Sequence, residues 1–251
     1  MKKIKLALLF LFATCGTKIS AQGLMIWKGG TYKYVPTEEI DSIVFCKKDP
    51  AKEFTVDGHI CVDLGLTSGT KWATTNVGAA TPEEYGTFFA WGETKSQSYL
   101  ASYQWNTYKW SQGTAAKLTK YCTEPYYGLV DGISQLLPED DAASVAWGER
   151  WQTPTDEQQE ELRKECEWTW CEDAVAGYKV TGRNGKSIFL PAAGYLTSSG
   201  KREDGTTGFY WSSTLNIVMC SQAFYLLFGK ENVGRGGSDR SVGLPIRPIL
   251  R

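Results

Sequence analysis

The sequence predicts an α+β protein in which short antiparallel strands outnumber helices. Three observations carry that expectation. Apolar and polar residues alternate in short runs from Phe54 onward; Asp57-Gly58 and Asn184-Gly185 supply hairpin turns; and only two stretches have helix-starting chemistry.

Taken in order, residues 22–46 read as a small β-appendage. Two strands flank Gly29-Gly30, and after a turn a third runs from Ser42 to Phe45. The charged, proline-containing run at 47–53 reads as a linker to a larger domain at 54–251. There "FTVDGHICVDLG" predicts a hairpin on Asp57-Gly58, "GTKWATTNVG" a strand with Trp72 and Thr74 on one side, and "EEYGTFFAWGET" a third, aromatic strand. Residues 95 to 135 carry many rings without a helical or strand period, which predicts a long ordered loop packed by those rings.

Two helices follow. "PEDDAASVAWG" has acids where they suit a helix dipole and Gly148 at its end. "TPTDEQQEELRKEC" has Pro154 near its start and Thr155 to Gln158 in capping-box spacing, and its many charges predict a mostly solvated helix. Past "CEWTWCED" the chain returns to strands, with a hairpin around Asn184-Gly185. "FYWSST", "AFYLLFG" and "LPIRPIL" are the last strand candidates, with a glycine-rich connection between the last two.

Composition narrows the function. A hydrophobic fraction of 42% in 251 residues, with 10 Trp, is enough for a packed core. The 27 basic and 28 acidic residues are interspersed, so no basic stripe is present to neutralise phosphates, and nucleic acid is not an expected partner. The first 21 residues, lysine-rich and then apolar from Leu6 to Ala13, read as a signal peptide cleaved before Gln22. That run is shorter than the ~20 residues a spanning helix needs, so no transmembrane segment is expected and the mature chain is read as exported: cell-surface, periplasmic or secreted. A lipid anchor at Cys15 is the alternative to that cleavage.

Of the seven cysteines, those other than Cys15 are Cys46, Cys61, Cys122, Cys166, Cys171 and Cys220. Structural thiols or one or two disulfides are expected, with the connectivity open. No C-x-x-C pair is present and His59 is the sole histidine, so no metal or cofactor is implied; His59 reads as an ordinary hairpin residue. Glu139, Asp140 and Asp141 could ligate calcium, but a helix start accounts for them. No G-x-S-x-G, Walker loop or dinucleotide fingerprint occurs, and no enzyme is predicted.

The runs "YKVTGRNGKSIFLPAAGY", "GFYWSST" and "IRPI", with "VDLGLTSGTKWATTNVGA", "PEEYGTFFAWGET", "LTKYC", "LPEDDAA", "WGERWQTPT" and "WTW", resemble the Fibrobacter succinogenes major paralogous domain in family order over most of Phe54 to Arg251. "EIDSIVF" similarly resembles a short element that precedes such domains. The resemblance implies a C-type-lectin-like fold, as in formylglycine-generating enzymes: a twisted antiparallel sheet, two helices and long irregular loops. It implies that Trp211 is core, that Ser212, Ser213 and Thr214 satisfy local backbone groups, and that the ligand face lies after them. That face comprises Leu215 to Met219, with Asn216 and Met219 foremost, and Gln222, Phe224, Tyr225, Lys230, Asn232, Arg235, Asp239 and Arg240. The ending "RSVGLPIRPIL" carries residues beyond the usual family pattern.

The expected function is a non-catalytic, exported ligand-binding or adhesion module for a protein or glycan. The alternatives are a structural subunit of a surface assembly, or a degenerate enzyme of the sulfatase-modifying type using Cys220.

Overall fold

The computed structural model describes residues 23–28, 31–36, 54–97 and 102–251. The expected signal peptide, Cys15, Cys46, the third appendage strand and the linker lie outside these residues. The chain divides into two compact units, Met1–Ala51 and Lys52–Arg251. In the first, β1 (Gly23–Lys28) and β2 (Thr31–Pro36) pair antiparallel, with Lys28 opposite Thr31.

The second unit is α+β and mostly antiparallel. Its largest sheet has the order β3 (Phe54–Val56), β4 (His59–Asp63), β5 (Lys71–Ala73), β15 (Ile249–Leu250), β6 (Trp151–Gln152). The end of the chain thus inserts between strands from its beginning and middle, with Ile249 opposite Trp72 on one side and Gln152 on the other. The first hairpin turns where Asp57 and Gly58 take φ of 49° and 84°, the positive values that a tight primed turn requires.

Both expected helices are present, with different chemistry at their starts. α2 (Asp156–Glu165) carries the complete capping box, the Thr155 hydroxyl accepting from the Gln158 amide and the Gln158 side chain accepting from the Thr155 amide. It buries Gln159 and Leu162 fully, exposes Glu157 and Lys164, and leaves the rest half-buried, so it is less solvated than its charges suggest. α1 (Ala142–Trp147) is shorter than its acidic run suggested: Pro138–Asp140 form a 3-10 turn, and Asp141 is the N-cap, accepting from the Ala143 amide.

Two three-stranded sheets complete the core. β7 (Glu167–Cys171), β8 (Gly177–Thr181) and β9 (Ser187–Pro191) form one, and β7 occupies the run expected to precede the strands. The other contains β12 (Thr207–Leu215), β13 (Gln222–Gly229) and β14 (Asn232–Asp239). β14 is the connection that its glycines made look like a loop. Gly236 is required there, because a Cβ would stand 2.3 Å from Cζ of Tyr225, whose ring lies across the strand. A further hairpin, β10 (Tyr195–Thr197) with β11 (Gly200–Arg202), was not evident from the pattern.

The aromatic run "EEYGTFFAWGET" is not a strand. Phe89 makes an isolated bridge to Leu244, while the surrounding backbone is irregular. Its rings are held individually instead: Trp91 donates through Nε1 to the Ser212 carbonyl at 2.8 Å, and Trp211 donates to the Phe89 carbonyl at 2.8 Å. Trp211, Ser212 and Ser213 are all buried, and Ser212 Oγ donates to the Phe224 carbonyl. The "FYWSST" strand is therefore mostly scaffold interior, buried on both faces from Tyr210 to Ser213.

Candidate functional site

Residues 102–137 have no long element of their own, so their backbone groups need partners elsewhere. One buried side chain, Arg240 just after β14, serves two of their carbonyls and ties them to the sheet. Its Nε donates to the Tyr108 hydroxyl at 2.9 Å, Nη1 to the carbonyls of Tyr121 and Cys220, both at 3.0 Å, and Nη2 to the Lys120 carbonyl at 3.0 Å. The guanidinium also lies 5.0 Å from the Trp91 ring centroid and 5.3 Å from that of Tyr108. A planar fork of donors is the one side chain that can serve three carbonyls and a hydroxyl at once.

Beside it sits a second polar knot. Asp140 is buried and receives Lys120 Nζ at 2.6 Å, Lys109 Nζ at 3.2 Å and the Tyr121 hydroxyl at 2.7 Å. Burial opposes its charge, but these donors outweigh burial and hold the carboxyl below its ordinary range. Asp131 is held down in the same way, by the amides of Tyr121, Cys122 and Ile133. Tyr121 itself takes φ of 59°, unusual for a side chain with a Cβ, and its buried ring packs edge-on against Trp91. Of the acids read as a helix start, Asp140 is thus tied to two lysines and a tyrosine, and Asp141, the N-cap of α1, also accepts from the Thr153 amide and hydroxyl.

The clamped loop meets the β12–β13 connection in one place. The Thr123 hydroxyl donates to the Ile217 carbonyl at 2.7 Å, and the Thr123 amide lies 3.2 Å from the Cys220 sulfur. Around this junction the surface turns apolar. Ile217, Val218 and Met219 are exposed on one side and Tyr126, Leu129 and Val130 on the other, with Val218 74% and Tyr126 79% exposed. The connection is shaped from below by Asn216, whose Oδ1 accepts from the amides of Val218 and Met219 at 3.2 Å each. Large side chains gathered this way on rigid loops form a tip able to desolvate against a partner.

The residues expected to form a single face are distributed. Asn216 and Met219 belong to the tip, and Gln222 and Asp239, opposite one another in register, lie at its base. Lys230 and Asn232 sit at the far end of the β13–β14 hairpin, seven residue steps from Asp239, which is ~23 Å along an extended strand. There Lys230 pairs with Glu172 at 2.9 Å and Asn232 accepts from the Gly229 amide. Arg235 stacks 3.6 Å from the Phe224 ring centroid and pairs with Asp156 at 2.9 Å, so both are engaged with the start of α2. Tyr225 packs between Phe209 and Trp211. Arg240 and Leu215 are fully buried and cannot form part of a ligand face; the physical reason is that both complete the interior beneath it.

Tyr126 is one of the rings the sequence offers in the long loop, whereas Leu129 and Val130 carry no ring and no pattern that singles them out. Those rings mostly fill space: Tyr103, Tyr108 and Tyr121 are buried, and Trp105, Trp110 and Tyr127 pack on the core, leaving Tyr126 outside. His59 lies in the β3–β4 hairpin as expected, opposite Val56, and its ring stacks on Trp147 at 3.7 Å and 7°. Burial lowers its pKa, partly opposed by Asp57. Among the described residues, no group of three or more His, Cys, Asp or Glu is placed to hold a metal ion, and no helix is long and apolar enough to cross a membrane.

No family model, curated protein or solved structure matches this chain.

Proposed function

We propose that the protein is an exported, non-catalytic binding module of C-type-lectin-like build that docks a protein partner through the apolar tip. The observation that carries this reading is the exposure of Ile217, Val218 and Met219 on one loop and of Tyr126, Leu129 and Val130 on another, two loops joined at Thr123 and held by Arg240 at the Tyr121 and Cys220 carbonyls and by Asp131 at the Tyr121 amide. Apolar residues exposed on a preorganised backbone lose little conformational freedom on binding, so more of their burial appears as affinity.

A protein fits this tip better than a glycan does. Sugar hydroxyls need polar partners when they are desolvated, and isoleucine, valine and leucine side chains provide none. Only Tyr126 presents a ring face among the six residues.

The test is a parallel screen of the purified chain against arrayed extracellular proteins and arrayed glycans, repeated with Ile217→Ser/Val218→Ser/Leu129→Ser. Protein hits lost in a variant with an unchanged circular dichroism spectrum support the reading. Glycan-only hits, or protein hits that the variant retains, would overturn it.

A further inference from the structure

The junction beneath the tip also brings two thiols together from positions far apart in the chain. Cys122 and Cys220 are both fully buried. The Thr123 amide, bonded to the Cys122 carbonyl carbon, lies 3.2 Å from Cys220 Sγ, and the Thr123 hydroxyl lies 3.2 Å from the same sulfur. An amide nitrogen is ~2.4 Å from the preceding Cα, which bounds Cys122 Cα to ~5.6 Å from that sulfur. Arg240 Nη1 fixes the backbones on either side of the two thiols, holding the Tyr121 and Cys220 carbonyls with one nitrogen. Both thiols are free in the structure; bridgeable cysteines have Cα atoms separated by ~4.4–6.8 Å, and the close approach of Cys220 Sγ to the Cys122 backbone is compatible with that range.

We propose that Cys122 and Cys220 are disulfide partners, joined when the chain folds in the presence of a small-molecule disulfide oxidant. The thiolate of one cysteine attacks a sulfur of the oxidant, forming a mixed disulfide and releasing the first thiol. The second cysteine then attacks the protein sulfur of that mixed disulfide, forming the Cys122–Cys220 bond and releasing the second thiol. Two protein thiols are oxidised, one oxidant disulfide is reduced, and the two cysteine protons end on the released thiols.

The product staples the long loop to the β12–β13 connection, the two segments that carry the tip. The chemistry does not depend on what the tip binds. Burial pushes the Cys122 thiol up, which leaves it protonated and shielded in the finished fold. The bond therefore forms while the junction closes. Cys166 and Cys171, in contrast, lie around and within β7, away from this junction.

The test uses the full chain, folded once in a mixture of reduced and oxidised glutathione and once in reductant. Remaining thiols are alkylated, and the protein is digested without reduction. The expected result is a cross-linked pair of peptides containing Cys122 and Cys220, together with a higher urea midpoint for the oxidised protein. Oxidation of the same chain held in denaturant should give scrambled pairings, and Cys122→Ser should leave Cys220 alkylated. Recovery of Cys122 and Cys220 as separate alkylated peptides, or linked to other cysteines, would overturn the pairing. An unchanged midpoint in a protein that carries the bond would overturn its role as a staple.

Discussion

Arg240 and Arg247 are close in the chain and equally sequestered, at 0% and 1% exposure, yet they do different work. Both are held by neutral partners. Arg247 donates Nε to the Asn76 side chain at 2.8 Å and Nη1 to the carbonyls of Ala73 and Thr74, while its Nη2 has no partner. Burial pulls its pKa down to about 10. Arg240 has every nitrogen engaged, with partners contributed by Tyr108, Lys120, Tyr121 and Cys220. Arg247 therefore ties the end of the chain to the turn after β5, inside the scaffold. Arg240 ties the irregular loop to the sheet. The difference shows how a segment without regular structure can be tied to a scaffold: two of its carbonyls and one hydroxyl meet on the guanidinium that also holds the Cys220 carbonyl.

The largest effect that could break this comparison is Arg240→Met. It leaves three carbonyls and a hydroxyl without their donor, and at ~1–3 kcal/mol for each buried unsatisfied group the loss should be at least about 3 kcal/mol in urea unfolding. Arg240→Lys should also destabilise, because one ammonium cannot reproduce the fork.

Asp140→Asn comes next, at about 2 kcal/mol, the range for hydrogen bonds to a charged group. The wild type sharpens this through pH. The Asp140 carboxyl is depressed in the folded state, so its contribution is fully present above the unfolded value of ~3.9 and is lost as pH falls through the lower folded value. The variant should lose less stability than the wild type below pH ~4.

Arg247→Met should cost less, by about 1–2 kcal/mol, since it leaves three acceptors rather than four without a donor and also removes an orphaned buried donor. A cost above that of Arg240→Met would reverse the comparison.

The smallest effect is that of His59→Phe, within ~1 kcal/mol because the stacking surface is retained. The folded pKa of His59 lies below the ordinary ~6.5, so the unfolded chain binds the proton more readily. Its stabilising contribution is present above that value and declines as pH falls through the folded one. The variant should lack this decline.

What could be read in advance was local. The capping box from Thr155 to Gln158 and the turns at Asp57-Gly58 and Asn184-Gly185 are set by neighbours in sequence, and all three are present. β14 was read as a connection because Gly234, Gly236 and Gly237 carry no alternation, although the Tyr225 ring needs that lack of side chains. The placement of Arg240 was illegible for a different reason. An arginine after an aspartate near the end of the chain looks solvated, and its partners at Tyr108, Lys120 and Tyr121 are more than a hundred residues away. The tip was half legible: Ile217 to Met219 fell within the expected face, while Leu129 and Val130 acquire their meaning only from the Thr123 contact with Ile217.

The account rests most directly on Arg240 holding the tip-bearing segments, and amide hydrogen exchange in Arg240→Met and Arg247→Met measures that. Several amides report on the loop, among them Leu118 to the Tyr127 carbonyl, Gly132 to that of Cys122 and Leu215 to that of Ser134. In Arg240→Met these should exchange far faster than in the wild type, while β7 to β9 keep their protection; in Arg247→Met they should remain protected. Equal loss across the whole domain in both variants, or no change in the loop on replacing Arg240, would contradict the account.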